Sequence, residues 1–487
     1  MKSIIWFRQD LRLSDNPALL AACKAGEVLP VYIIDEQHPQ QWKMGAASEW
    51  WLHHSLKALQ EDLQDNLFIA YGDPLEIIPK LIEAANIDAV YWNRCYEPWQ
   101  IARDKQLKQI LLGSNIQVES FNGSLLWEPW TVSKADGTPY KVFTPYYKKG
   151  CRNQPEPRFP HAKPERIRFV AQPRSREKSK SGVQALSVDD LNLLPSIPWY
   201  TTMEKEWTPG EEGAKNRLAA FLKDAITQYT EGRDVPSLEA TSKLSPHLHF
   251  GEISPNQIWH AVLHQQISDS SNDNPGNEEN IQKFLSELAW REFSYYLLFH
   301  FPEIPEKNFK AKFDSFPWQN DEALLTAWQK GKTGIPIIDA GMRELWQTGY
   351  MHNRVRMIVA SFLIKNCLVD WRKGAQWFWN TLVDADLANN SASWQWVAGS
   401  GADAAPYFRI FNPLLQGEKF DPQGDYVRTY CPELKRLPSK VVHKPWAASE
   451  DQLTTAGITL GQHYPEPIID LKESRERALA AYKETGN

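Results

Sequence analysis

Short apolar runs alternate with helical segments in the first quarter of the chain, and this alternation constrains the fold more than any other feature. Apolar runs joined by short links are typical of strands buried on both faces, as in a parallel sheet covered by helices. Ligands of such sheets bind at the carboxyl ends of the strands. The sequence therefore predicts an α/β domain with a parallel sheet, whose strands lie at residues 3–7, 28–34, 67–71, 88–92 and 116–121.

The segments between these runs have helical periodicity. Capping residues stand before Pro17, which suits the first turn of a helix. Helices are predicted up to residue 24 and over 48–63, 74–85 and 101–112. No GxGxxG follows the first strand, so the fingerprint of a dinucleotide-binding fold is missing.

The rest of the chain has a different texture. Residues 131–207 are rich in proline and include a charged run at 174–180, which indicates an irregular connector. From about residue 208 the periodicity is helical, so the expected organisation is an α/β domain (1–130), a connector (131–207) and an all-α domain (208–487). Helices are predicted over 213–229, 255–266, 278–299, 322–329, 336–349, 352–363, 371–382 and 470–482.

Composition excludes several classes of protein. The net charge of −6 gives no overall attraction to nucleic acid, so any such binding needs a local basic surface. The five cysteines form no CxxC, which predicts reduced thiols in a cytoplasmic setting. The first residues carry charges rather than an apolar signal segment, and no apolar run approaches the roughly 18 residues of a membrane span.

Four short motifs suggest sites that their surroundings do not support. The sequence GKT at 331–333 resembles the end of a P-loop, but the upstream glycine position is Thr326 and no strand precedes it. The sequence GSG at 399–401 is interpreted as a tight turn. The histidines of 53–54 and 247–249 lack partners at metal-ligand spacing, so no metal site is expected.

Polar side chains are concentrated beside large rings in the stretch 384–413. The acids Asp384 and Asp386 stand two residues apart, the amides Asn389 and Asn390 follow, and a Trp-x-Trp pair comes next. So many polar groups among aromatic rings are unusual for a core helix. The pattern predicts a pocket for something flat, polar and redox-active.

A second polar group lies on the predicted helix at 278–299. Glu287, Trp290 and Arg291 are spaced i, i+3 and i+4, so they share one face. One interpretation is an intrahelical Glu–Arg pair beside a core tryptophan. The other is a carboxylate and a ring that line a pocket, where the first hydrogen-bonds a base edge and the second stacks on the base.

Two further segments allow a functional and a structural interpretation. The hydroxyl-rich loop between Tyr229 and Ser245 suits a phosphate cradle, or else Ser245 caps a helix. In the sequence MHNRVRM, from Met351, Asn353 and Met357 share a helical face, and at least one arginine is expected to point at a buried anion or carboxylate. Three tryptophans in separate segments suit core packing or electron transfer: Trp318, Trp371 and Trp394.

Together these motifs resemble the photolyase and cryptochrome family, most specifically in MHNRVRM, DADLANN and WQWVAGSGADAAPYFRIFNP. The resemblance runs from Ile4 to Trp446 and is closest to cyclobutane pyrimidine dimer photolyases of class I or class III. It implies an antenna domain, a helical FAD domain and light-driven repair of UV-damaged DNA, by electron transfer from excited reduced FAD to a flipped-out dimer. The alternative is a cryptochrome-type blue-light photoreceptor without repair activity. A cytoplasmic monomer is expected.

The resemblance also assigns roles to individual residues. The electron chain is formed by Trp318, Trp371 and Trp394, with Glu287 and Asn390 as further catalytic residues. FAD contacts are assigned to Tyr229, Thr241, Ser242, Lys243, Leu244, Ser245, Phe284, Arg356, Asp384, Ala385, Asp386 and Asn390, with Arg356 as the partner of Asp384. Contacts to the lesion and the DNA are assigned to Arg233, Glu287, Trp290, Arg291, Asn353, Arg354, Met357, Trp396 and Gln416.

Asn390 favours repair over signalling within this resemblance. It matches the residue that faces flavin N5, where the plant cryptochromes carry Asp, and an amide cannot supply a proton there. The (6-4) branch carries His at the position of Asn353, whereas His352 stands one residue earlier and is expected to face elsewhere. Both observations point to repair of cyclobutane dimers.

The antenna chromophore is left open by the resemblance. Folate-binding relatives carry an acid at the position of Gln100, next to Trp99, which puts that form of folate binding in doubt. An 8-hydroxy-deazaflavin, or methenyltetrahydrofolate held as in class III photolyases, fits equally well.

Overall fold

The computed structural model describes residues 1–172, 182–270, 276–405 and 408–485, so the charged run at 174–180 lies outside the described residues. The strands are β1 (Lys2–Phe7), β2 (Glu27–Ile34), β3 (Phe68–Tyr71), β4 (Ala89–Asn93), β5 (Gln117–Phe121) and β6 (Arg168–Phe169). They form one sheet of order β3-β2-β1-β4-β5, with β6 beside β2.

The central strand of this sheet is β1, and every strand pair is parallel among the residues that the structure describes. Ser3 lies opposite Val28 on one side and Ala89 on the other. β1 is buried from Ser3 to Phe7, as expected for a strand covered on both faces. The predicted parallel sheet is confirmed, with each of the five predicted strands within one residue of its expected bounds.

The other elements are mainly helices. In chain order they are α1 (Pro17–Ala25), α2 (Ala46–Asp62), α3 (Pro74–Ala85), α4 (Pro98–Gly113), α5 (Phe143–Pro145), α6 (Met203–Glu206), α7 (Glu211–Lys223), α8 (Tyr229–Gly232), α9 (Ser245–His249), α10 (Pro255–Ser270), α11 (Gly276–His300), α12 (Glu322–Gln329), α13 (Pro336–Thr348), α14 (Asn353–Ser361), α15 (Trp371–Thr381), α16 (Leu387–Ala398), α17 (Pro413–Phe420), α18 (Asp425–Tyr430), α19 (Glu450–Ala456) and α20 (Leu471–Glu484).

Some helix predictions were wrong. The expected helix at 213–229 ends at Lys223, and a 3-10 turn that buries Ala225 and Ile226 precedes α8. The helix α16 was not predicted, although Asp386 is its N-cap and Gly399 ends it with a φ of 90°. That glycine confirms the tight turn predicted at 399–401.

The chain divides into two compact units. The first contains Met1–Pro198, Trp207–Asp224 and Ser242–Pro302. Its sheet packs through residues such as Ile4, Leu29 and Val90 against helix residues that include Leu81. The sheet and the helices that cover it therefore share one close-packed apolar core.

The second unit contains Trp199–Glu206, Ala225–Thr241 and Glu303–Asn487. Its core joins α13, α14, α15 and α16 through one buried cluster, which includes Ile338 and Phe378. The fold class predicted from the sequence, a parallel α/β domain followed by a helical domain, is confirmed; the domain boundaries at 130 and 207 stay predictions. No helix in the described ranges has the length and apolar character needed to cross a membrane.

Candidate active site

An ion pair between Arg356 and Asp384 lies at the centre of the polar residues of the second unit. Arg356 Nη2 donates to Asp384 Oδ2 at 2.9 Å, and its Nε donates to the Met351 carbonyl at 2.7 Å. Burial alone would lower the pKa of Arg356, but the Asp384 carboxylate holds that pKa above its usual value. The predicted partnership is confirmed, and a buried carboxylate is thereby compensated in charge.

Tyr350 lies beside this ion pair, with its ring centroid 5.0 Å from the Arg356 guanidinium carbon. Its side chain is hydrogen-bonded to Thr241, one of the residues expected to hold FAD. Burial, with a contribution from Asp384, raises the pKa of Tyr350 to about 12. The neutral phenol therefore persists at physiological pH, and the structure brings Thr241 to the same site as Arg356.

The start of α16 presents two side chains with fixed hydrogen bonds. Asp386 Oδ1 accepts from the Asn389 backbone at 2.8 Å and from its side chain at 2.7 Å, so the second acid is a helix cap. Asn390 Nδ2 donates to the Ala375 carbonyl of α15 at 3.0 Å. The opposite amide orientation would set two oxygens against each other, so Oδ1 is left as a hydrogen-bond acceptor.

The three candidate tryptophans belong to one apolar region. Trp371 and Trp394 are members of the buried cluster of the second unit, and half-buried Trp318 packs against it. The Trp394 ring lies edge-on to Phe378, with centroids 5.0 Å apart. A Cβ on Gly374 would come within 2.2 Å of Trp394 Cη2, so α15 approaches this indole closely because it carries glycine there.

His352 serves as the N-cap of α14. Its Nδ1 accepts from the Arg354 backbone N–H at 3.2 Å, so the neutral ring carries its proton on Nε2. Burial lowers the pKa of His352 to about 4, assisted by the charges of Arg233, Arg354 and Arg356. Its Nε2 and the Arg354 Nε are buried without a hydrogen-bond partner.

The remaining candidates of the second unit lie on several elements. Arg354 Nη2 donates to Asp234 at 2.7 Å, and Trp396 Nε1 donates to the Asp403 carbonyl at 3.2 Å. Arg233 has its guanidinium carbon 5.5 Å from the Tyr229 centroid. Asn353 is exposed, Met357 and Gln416 are half-buried, and Ala385 is buried.

The first unit contains the candidate residues of α11. Glu287 pairs with Lys283 at 3.1 Å, and the Trp290 ring stacks on Phe143 with centroids 3.8 Å apart and planes at 12°. Arg291 Nη1 donates to the Ser124 carbonyl at 2.9 Å and to Glu292 at 3.1 Å. Arg291 thus contacts the segment that follows β5 and its neighbour on α11, although its expected role is at DNA.

The hydroxyl loop differs from expectation. Ser245 is the first residue of α9, and the cap position belongs to Leu244, which makes no side-chain cap. The interpretation of Ser245 as a helix cap is therefore wrong. Ser242 Oγ accepts from the Leu244 N–H at 3.4 Å, and Lys243 has a φ of 50°. Phe284 is buried on α11, 4.7 Å from Phe221.

The antenna candidates lie on α4. Gln100 is buried; its Nε2 donates to Glu97 at 2.9 Å and its Oε1 accepts from Arg103 at 3.2 Å. The Arg103 guanidinium carbon lies 5.3 Å from the Trp99 centroid. Both ends of the Gln100 amide are thus engaged inside the unit, which fits the doubt about the usual folate contact.

The end of the GKT motif donates hydrogen bonds to the carboxylate of Asp339. The Thr333 N–H and hydroxyl donate to Asp339 Oδ1 at 2.6 and 2.7 Å, and the Gly334 N–H donates to Oδ2 at 3.0 Å. Among the described residues, no group of three or more His, Cys, Asp or Glu is arranged to hold a metal ion.

Two polar residues of the second unit escaped the sequence analysis. Tyr350 precedes MHNRVRM directly, and its position beside that motif was the available signal. Asn308 accepts from the Trp371 indole N–H at 3.0 Å. It stands 63 residues earlier in the chain, so no local pattern could have shown the contact.

A parallel α/β domain is followed by a helical domain with a charge-compensated polar site and buried tryptophans, which is the arrangement that the resemblance to light-driven flavoproteins implies. Residues 3–165 match the family model for DNA photolyase, and residues 284–484 match that for the FAD binding domain of DNA photolyase. The chain belongs to the DNA photolyase and cryptochrome family.

Particular relatives refine this placement. Deoxyribodipyrimidine photo-lyase of Agrobacterium fabrum is 51% identical over 98% of this chain and 97% of its own length. Cryptochrome-1 of Arabidopsis thaliana is 36% identical over 98% of this chain and 69% of its own length. A bacterial class III photolyase from Agrobacterium tumefaciens has a TM-score of 0.92 and 50% identity, covering 100% of this chain and 98% of its own.

The residues present fit FAD. Arg356 leaves the buried Asp384 compensated, Asn390 Oδ1 offers an acceptor to a ring N–H, and cationic side chains surround buried His352. The unpartnered donors His352 Nε2 and Arg354 Nε are unusual in a finished core, since buried polar atoms are normally paired. The chain carries the FAD-binding domain of its family, and the residue-level contacts stay predictions.

Proposed function

We propose that this protein is a deoxyribodipyrimidine photo-lyase of the class III type, which uses blue light to split cyclobutane pyrimidine dimers in DNA. The observation that carries the proposal is Asn390, whose Nδ2 donates to the Ala375 carbonyl, so that its Oδ1 is left as an acceptor and the side chain has no acidic proton to give. Similarity to photolyases along the whole chain supports the same reaction.

Bound, reduced FAD supplies the light-excited electron for this chemistry. The chain's own residues position the bound groups and compensate the buried charge of the pocket. Arg356 neutralises Asp384, so the pocket tolerates a polar ring system without an uncompensated buried charge. The Asn390 oxygen would accept a ring N–H of the bound cofactor and has no acidic proton to give, which would favour the fully reduced state.

The dimer must leave the duplex to be reached, which costs a few kcal/mol and less for a damaged, poorly stacked site. Trp290 is half-buried and stacks on Phe143, and it is the ring proposed to receive the lesion by stacking. Stacking of a base on an aromatic ring contributes about 1–3 kcal/mol. Glu287 hydrogen-bonds a pyrimidine edge, and Trp396, Asn353 and Met357 supply further lesion contacts.

Backbone phosphates require local cations, because the chain as a whole carries a net charge of −6. Arg233 and Arg354 serve this purpose, and Gln416 adds a polar contact. Trp318, Trp371 and Trp394 would carry electrons inward from an external reductant, so that a bound FAD could be returned to its reduced state. The antenna is methenyltetrahydrofolate or 8-hydroxy-deazaflavin, and the protein acts as a cytoplasmic monomer.

The test is repair itself. Purified protein with chemically reduced FAD is illuminated with blue light on an oligonucleotide that contains one cyclobutane thymine dimer, and restored thymines are measured by chromatography. Restoration in light but not in darkness is the expected result. The similarity to cryptochromes supports the alternative, a photoreceptor, and no repair together with no preference for damaged DNA would favour it.

A further inference from the structure

Asn308 holds the indole N–H of Trp371, the middle member of the proposed electron chain. Trp371 Nε1 donates to Asn308 Oδ1 at 3.0 Å, and Asn308 Nδ2 donates to Asp314 Oδ1 at 2.8 Å. Trp371 and Asn308 are 1% and 8% exposed. Because both ends of the amide are engaged, its orientation is fixed and its oxygen faces the indole.

The loop that carries Asn308 is fastened to α16. Gln395, the residue after Trp394, donates through Nε2 to the Ile304 and Lys307 carbonyls at 2.6 and 2.8 Å. Its Oε1 accepts from the Phe309 N–H at 2.8 Å. The helix α16, which carries Trp394, thus holds in place the loop whose Asn308 hydrogen-bonds the indole of Trp371.

One ion pair and one further carboxylate lie near Trp371. The Arg372 guanidinium carbon lies 4.9 Å from the ring centroid, and its Nη1 pairs with Asp370 at 3.0 Å. The local effect of that cation is offset by its partner. The Asp314 carboxylate lies on the N–H side of the Trp371 ring and is separated from it by the Asn308 side-chain amide. Its negative charge favours positive charge on the ring.

We propose that Asn308 is a positioning residue that keeps oxidised Trp371 protonated. When Trp371 gives one electron to oxidised Trp394, its indole N–H becomes acidic, and a carboxylate at hydrogen-bond distance would accept that proton. An amide oxygen accepts the hydrogen bond but is far too weak a base to take the proton. Trp371 then recovers its electron from Trp318, no proton leaves Nε1, and the electron vacancy moves outward. This inference rests on the proposed function.

The test exchanges the two side chains, as the double variant Asn308→Asp with Asp314→Asn. The exchange preserves total charge and both hydrogen bonds, and it moves the base from position 314 to the indole N–H. FAD-loaded protein is followed by time-resolved absorption after a blue flash. The expected result is the spectrum of a neutral tryptophan radical in place of the cation, with decay slowed about tenfold, the effect of one unit of pKa.

The matched control is Asp314→Asn alone, which leaves the amide at 308 and should keep the cation spectrum. A cation spectrum in the exchanged variant would overturn the inference, as would a neutral radical in the control. Repair by chemically reduced protein is measured in parallel and should be unchanged. Failure of the wild-type protein in that assay would instead reject the proposed function, without altering the spectral result.

Asn308→Leu keeps the inference testable if the exchanged variant does not fold. This change removes the acceptor and leaves the indole N–H without its partner. Photoreduction of oxidised FAD should slow about fivefold, the equivalent of one neutral hydrogen bond. Resonance Raman bands of the indole should show loss of the hydrogen bond. An unchanged photoreduction rate would contradict the proposal.

Discussion

The side chain of Asn390 in α16 is bound to the backbone carbonyl of Ala375 in α15, at 3.0 Å. This contact joins two core helices and fixes the orientation of the amide. It therefore decides which chemical group, an acceptor and not a proton donor, the second unit offers at this position.

Asn390→Asp should change the photochemistry of the bound flavin. A carboxylic acid at this position can supply a proton, so reduction in light should stop after one electron instead of continuing to the fully reduced state. Absorption spectra under continuous blue light measure this. Asn390→Ser is the control, because a hydroxyl is no acid at neutral pH. Identical behaviour of the Asp variant and the wild type would remove Asn390 from the flavin site.

Trp318→Phe should slow photoreduction of oxidised FAD and leave repair by chemically reduced protein intact. Trp318 is half-buried at the edge of the core cluster that contains Trp371 and Trp394, which suits the outer end of an electron path. Flash photolysis and the repair assay measure the two activities. Trp446→Phe is the control, because Trp446 is 37% exposed and outside the proposed chain. Loss of both activities together would mean that Trp318 packs the fold.

Trp290→Ala should weaken binding of dimer-containing DNA by about 5-fold to 150-fold, which corresponds to 1–3 kcal/mol of stacking. FAD should be retained. Fluorescence anisotropy in darkness, with damaged and undamaged duplexes, measures the effect. Trp130→Ala is the control, because it removes a tryptophan of the same unit that is 49% exposed and has no proposed lesion contact. Equal weakening on both duplexes would argue against a lesion contact.

His352 should make stability depend on acid pH. Burial lowers its pKa to about 4 from 6.5, so the unfolded chain binds more protons between these values. The free energy of unfolding should rise with pH through this window, by at most about 3 kcal/mol. The contribution is complete above pH 6.5 and is lost as the pH falls towards 4. Denaturant unfolding of wild type and His352→Asn, which keeps a capping side chain, measures the difference; parallel pH profiles would contradict it.

Gly374→Ala should destabilise the second unit by about 1–3 kcal/mol, because the added methyl meets Trp394 Cη2 at 2.2 Å. Thermal and denaturant unfolding measure the loss. Gly113→Ala is the matched control at the end of α4, where an added Cβ meets nothing within 4 Å and helix propensity favours alanine. Similar effects of the two changes would show that Gly374 is not needed for the approach of the indole.

The sequence predicted correctly those helices and strands whose ends are marked by neighbouring residues in the chain. The helix at 74–85 was predicted with its observed bounds, and the structure shows Asp73 capping its start and Asn86 ending it. The helix predicted at 213–229 is too long by six residues. The sequence keeps a helical pattern of apolar residues there, but the chain forms a 3-10 turn that buries Ala225 and Ile226. The predicted cap at Ser245 was wrong because α9 begins at Ser245 itself, and the sequence could not fix the start of the helix to one residue.

The sequence by itself determined the alternation that makes a parallel sheet, the helical second part, and the motifs that place the chain in its family. These properties depend on neighbours in the chain, which a sequence displays directly. Only the tertiary structure decided that Asn390 keeps an acceptor oxygen, that Phe143 backs Trp290, and that Asn308 holds Trp371. Each of these contacts joins residues distant in the chain, and packing alone brings them together.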